Sequence, residues 1–150
     1  MTRRSSPETA LEIARVRQLQ LQRALSDASR ARAALDRATR HMTEALAMQD
    51  SHFNAWRAAV GQSDGVSIAL LDNFAGAHAG VASECREARK AFHQQQREFD
   101  ASKLALAQRD RLAELAREDA SRVARRHHQS VEERRLSERE SRTACSTEDR

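Results

Sequence analysis

Six histidines, two cysteines and a glycine-bearing segment are the parts of this 150-residue chain best suited to bind a metal, attack a substrate or cradle a phosphate. His41, His52, His78, His93, His127 and His128 include no pair spaced four apart. That spacing is what sets two imidazoles on one helix face to share a metal. His127 and His128 are adjacent, and adjacent residues on a helix point apart. All six read as solvated or seam-edge histidines. Cys85 and Cys145 make neither a zinc spacing nor a disulfide framework, which fits a reducing compartment. Cys85 reads as a small core residue and Cys145 as incidental. Gly76-Ala77-His78-Ala79-Gly80 has the glycines of a phosphate loop but not its following Lys and Ser/Thr. Those glycines are expected either to let two backbones approach or to mark loose helix. No acid, base and nucleophile converge, so the chain reads as a non-enzyme with no cofactor, no metal and no small-molecule substrate.

The elements that would carry these residues are helical. Leu11, Ala14, Gln18, Leu21, Leu25, Ala28, Arg32, Leu35, Thr39, Met42, Leu46, Gln49, Phe53, Trp56 and Val60 recur by alternating threes and fours. A seven-residue repeat sustained over about seven heptads is the pattern of a coiled-coil seam. The stripe is narrow, so it asks for one long partner helix rather than a broad core. Ser6-Pro7 starts the helix, with Ser as cap, Pro in the first turn, and Glu8 and Glu12 favourable to the helix dipole. Nothing breaks it before Val60, a span of roughly 80 Å.

Composition agrees. Charged residues make up 32% and aromatics 3%, with no Tyr and one Pro, which suits long helices around a thin seam better than a globule. The net charge is +4, from 26 basic and 22 acidic residues, so the surface is mixed in sign rather than uniformly basic. The N-terminal Met-Thr-Arg-Arg-Ser-Ser has charge but no apolar run behind it, and no window is long enough to cross a membrane. The expected location is the cytoplasm.

All four glycines lie between 61 and 80, and Gly61-Gln62-Ser63-Asp64-Gly65 reads as a stop and turn. Ser67 can cap a restart. The seam resumes as Val81, Cys85, Ala88, Phe92, Gln95, Phe99, Ser102 and Leu106. Leu104, Leu112 and Leu115 are out of step with Leu106, Ala113 and Ala116, which predicts a stutter that rotates the stripe. Ala120 and Val123 restore it.

The fold expected is all-α: two long helices forming an antiparallel coiled-coil hairpin, with a Gly-containing turn at 61–75. Residues 1–6 are expected to fray, 7–60 and 76–136 to be the helices, and 137–150 a flexible tail. A homodimeric or larger bundle is the competing assembly. Phe53, Trp56 and Phe74 would meet near the tip, where they either pin it shut or form a contact patch with Ile68, Leu70 and Leu71. At the other end the fold gathers Arg3, Arg4, Arg15 and Arg17 with Arg122, Arg125, Arg126, Arg134 and Arg135. Glu132, Glu133, Glu138 and Glu140 dilute that cluster and no aromatic interleaves it, so an acidic protein surface suits it better than nucleic acid.

This layout, from about Pro7 to Val131, resembles the FliJ/YscO family of type III secretion and flagellar export. The resemblance rests on length, the long first helix, the central Gly-containing turn and the basic returning helix. It implies a stalk whose terminal end enters a hexameric export ATPase and whose middle and tip meet the export gate protein and escort chaperones. The implied site is peripheral to the inner-membrane secretion apparatus. By position, the ATPase-docking end is Arg15, Arg17, Gln18, Arg122, Arg125 and Arg126. The gate- and chaperone-facing part is Met42, Leu46, Phe53, Trp56, Phe74, Val81 and Cys85. The alternatives from other classes are a basic coiled-coil binder of nucleic acid and a generic homodimeric coiled-coil scaffold.

Overall fold

Both helix starts are set by a serine. In the computed structural model, which describes residues 6–62 and 67–148 and the side chains of 6–61 and 67–142, helix α1 runs Pro7–Gln62 and helix α2 runs Ile68–Glu148. Ser6 Oγ accepts from the Thr9 amide at 3.2 Å and its carbonyl accepts from the Ala10 amide at 3.1 Å. Ser67 repeats this for α2, with Oγ accepting from Leu70 N at 3.2 Å and the carbonyl from Leu71 N at 3.1 Å. Each hydroxyl thereby satisfies an amide that the first turn leaves without a partner. No described residue lies in a strand.

The two helices pack against each other as an antiparallel hairpin. The turn is shorter than the expected 61–75: Gly61 is still in α1, and Ile68 already opens α2. The Ser67 cap makes the early restart possible. Residues 1–5, expected to fray, and 63–66, with Gly65, lie outside the described residues. At the far end α2 includes positions 137–148, given above to a tail. That stretch is Glu- and Arg-rich, and spacings such as Glu138 to Arg142 favour helix without burial.

Gly76 and Gly80 sit inside α2, and a Cβ built on either meets nothing within 4 Å. They do not serve a close backbone approach. Each simply costs helix stability through its extra freedom in the unfolded chain. Changing both to Ala is therefore expected to stabilise the protein by about 2 kcal/mol, read as a higher urea midpoint with unchanged slope.

Two units divide the chain, Met1–Leu25 with Ala105–Arg150, and Ser26–Leu104. In the first, the terminal unit, Ala10, Ala14 and Ala120 form the core, with Ala116 and Val123 against them. In the second, the central unit, Ala45, Cys85 and Ala88 are the core, with Met42 and Leu46 against them. The first core joins early α1 to late α2 and the second joins later α1 to earlier α2, as antiparallel pairing requires.

The seam differs from the expected one in half its positions. Ala14, Leu21, Ala28, Leu35, Met42, Gln49 and Trp56 are buried or half-buried, as their spacing predicts. The alternate positions are one residue earlier than expected: Ala10, Arg17, Ala24, Ala31, Ala38, Ala45 and His52. Leu11, Leu25, Arg32 and Phe53 are exposed instead, while Gln18, Thr39 and Leu46 are half-buried at the edge. The reason is helix spacing. Alanine lets two helices approach until side chains touch backbone, as where Cys85 Sγ donates to the Ala45 carbonyl at 3.1 Å. A leucine at those positions would hold the helices apart.

On α2 the expected stutter is absent. In the central unit Cys85, Ala88, Phe92, Gln95, Phe99 and Ser102 are at least half-buried. In the terminal unit Leu106, Ala113, Ala116, Ala120 and Val123 continue the same alternation. Leu104, Leu112 and Leu115 are exposed rather than competing for the seam. In the terminal unit small residues such as Ala113 and Ala120 take the most buried α2 positions.

Candidate functional site

The seam's preference for alanine decides which side chains remain available on the surface. In the terminal unit, sixteen Lys and Arg stand against twelve Asp and Glu, whereas the central unit has ten of each. The whole net charge of +4 thus belongs to the unit that brings α1's beginning against α2's second half. Phe and Trp are all in the central unit, so no aromatic side chain accompanies that charge.

Of the residues assigned above to a docking end, Arg15, Arg122, Arg125 and Arg126 are exposed. Arg17 and Gln18 are half-buried. Arg17 occupies a seam position, and its Nη1 donates to Gln20 Oε1 at 3.0 Å. Arg109 Nη1 reaches the same oxygen at 3.3 Å from the other helix. Gln20 therefore joins the two helices through one shared acceptor, and Arg17 is a packing residue more than a free cation.

The central unit treats its seven assigned residues very differently. Met42, Leu46 and Cys85 belong to the core between the helices. Val81 is half-buried. Trp56 and Phe74 stack with centroids 4.2 Å apart. Only Phe53 is exposed, at 44%, with the Arg57 guanidinium 4.7 Å above its ring. The aromatic group therefore pins the helices together, and the exposed apolar residues near it are Phe53, Ile68 and Leu71.

Two members of that stack escaped the sequence reading. His52 lies parallel to Phe74 at 4.9 Å, and His78 stacks with Phe74 at 5.5 Å and with His52 at 6.1 Å. His52 Nε2 and His78 Nδ1 are buried without a hydrogen-bond partner among the described residues. The signal that could have revealed them is spacing. His52 is four before Trp56, on the α1 seam once that is set one residue earlier, and His78 is seven before Cys85, on the α2 seam as expected. Elsewhere His128 Nδ1 approaches Glu132 Oε1 at 3.4 Å on the surface. No three His, Cys, Asp or Glu residues gather to hold a metal among the described residues. Among those residues, too, no helix is long and apolar enough to cross a membrane. The Cys145 side chain lies outside the described residues.

What the surfaces can do is bind by shape and charge: a basic terminal unit, and a central unit with a small apolar edge. Comparison with protein-family models, with curated proteins and with solved structures finds no match to this chain.

Proposed function

We propose that this protein is the central stalk and adaptor of a type III secretion or flagellar export apparatus. Its terminal unit docks in a hexameric export ATPase, and its central unit meets the export gate and escort chaperones in the cytoplasm. The observation that supports this reading best is the segregation of the entire +4 charge into the unit that pairs α1's start with α2. A single asymmetric hairpin inside a six-subunit ring cannot contact all subunits alike. It would bias them toward different states through unequal binding, with no chemistry of its own.

Arg125 and Arg126 are exposed, so reversing their charge should leave the fold intact. The Arg125→Glu, Arg126→Glu variant is expected to need an about tenfold higher concentration to stimulate the purified ATPase, with unchanged helical circular dichroism. Stimulation equal to that of the parent chain would remove this docking end. For the gate contact, Phe53→Ala is the informative substitution, because Phe53 is exposed whereas Trp56 and Phe74 hold the helices. Loss of gate-protein binding with an unchanged melting temperature is the outcome expected.

The same charge segregation favours one second reading, a coiled-coil binder of nucleic acid. The lack of any aromatic in the charged unit weighs against it. Retention on heparin through moderate salt, together with no affinity for the ATPase, would select it.

A further inference from the structure

The terminal unit is apolar in an unusual place. Its core side chains are alanines and Leu21, while Leu11, Ile13, Val16, Leu19, Leu112 and Leu115 are all exposed. Four of these share one flank. Ile13 is seven residues before Gln20, one heptad, and so lies on the same side of α1. Leu112 is three residues after Arg109, one turn further along α2. The hydrogen bond from Arg109 to Gln20 places those two sides next to each other. Val16 and Leu115 follow Ile13 and Leu112 by three, which extends the patch along each helix.

We propose that this flank is a self-association surface, and that two copies of the chain pair through Ile13, Val16, Leu112 and Leu115 into a four-helix bundle. Two observations select a second copy. First, the patch is built from the same three-residue step on each of two antiparallel helices, a pseudo-symmetric form that suits an isologous contact. Second, the charged residues one turn from the four side chains are balanced: Glu12, Glu118 and Asp119 against Arg17, Arg109 and Arg111. A balanced rim repels no copy of itself and attracts no strongly acidic or basic partner.

This pairing uses an outer flank and leaves the seam within each chain intact. It is independent of the export reading, although the two meet in one respect: a paired flank would be covered until a partner displaces the second copy.

The test is sedimentation equilibrium of the full chain from low to high micromolar concentration. The mass is expected to rise from one chain to two. Leu112→Lys with Leu115→Lys, and separately Ile13→Lys with Val16→Lys, should each raise the dissociation constant by about tenfold or more at unchanged helical signal. Leu136→Lys, an exposed leucine away from the patch, should leave it unchanged. A one-chain mass throughout, a mass beyond two chains, or association by the Lys variants equal to that of the parent overturns the proposal. So does a loss of helical signal in either pair, since these residues would then be interior to the single chain.

Discussion

Replacing Ala113 by Glu is expected to destabilise the protein by about 4 kcal/mol, among the largest effects open to a single change. Ala113 is 0% exposed and lies at a seam position of α2 in the terminal unit. A carboxylate there is stripped of water, and the seam's one arginine in α1 of this unit, Arg17, is already bonded to Gln20. The added side chain also has no volume to occupy, because the helices are spaced for alanine. Leu104→Glu is the matched comparison. Leu104 is 63% exposed, so the same charge should change stability by no more than about 0.5 kcal/mol. Urea unfolding followed by circular dichroism measures both. Similar costs for the two would return the leucines to the seam and make the alanine assignment untenable.

Replacing Phe74 by Ala is expected to cost about 3 kcal/mol and to shift Trp56 emission to longer wavelength. Phe74 is the centre of the stack, touching Trp56, His52 and His78. Removing it leaves Trp56 without its ring partner on α2, and His52 with His78 alone. The energy comes from lost burial and lost ring contacts together, and the single Trp reports the change directly. Phe53→Ala should cost less than about 1 kcal/mol, because Phe53 is 44% exposed and its ring faces Arg57 rather than the other helix's rings. Equal costs at positions 53 and 74 would mean that the tip aromatics form one cluster, as the sequence suggests, rather than a stack beside an exposed ring.

The helical hairpin was legible because its determinants are local and periodic. Ser6-Pro7 and Ser67 are caps with a recognisable chemistry, and the heptad spacing of Cys85 through Leu106 needs no tertiary information. The exact stripe on α1 was not legible in the same way. Leu11 and Leu25 are more apolar than Ala10 and Ala24, so hydrophobicity alone sets the seam one residue late. The structure reverses that order because interhelical distance, a property of both helices together, favours the smaller side chain. The same cause hid the stack. With Phe53 placed on the seam, His52 is one step off it, and only the corrected register brings His52 against Phe74 and His78. Leu104, Leu112 and Leu115 predict a stutter only if leucines must be inside. Their exposure leaves the α2 heptads unbroken. At the surface, the charge of the terminal unit could be read from the fold-back alone. That Arg17 packs beside Gln20 while Arg125 and Arg126 remain exposed could not, since it depends on the same one-residue rotation.

That a single chain zips its own helices together, with Cys85 against Ala45, is tested most directly by a disulfide between those two positions. The Ala45→Cys chain, with Cys145→Ser to remove the other thiol, should oxidise at low concentration to a product with the mass of one chain and faster migration without reductant. Near-complete intramolecular closure is the result expected from the 3.1 Å approach of the Cys85 sulfur to the Ala45 carbonyl. Covalent two-chain products alone, persisting as the protein is diluted, would mean that the helices pair between molecules and that no hairpin exists to serve as a stalk.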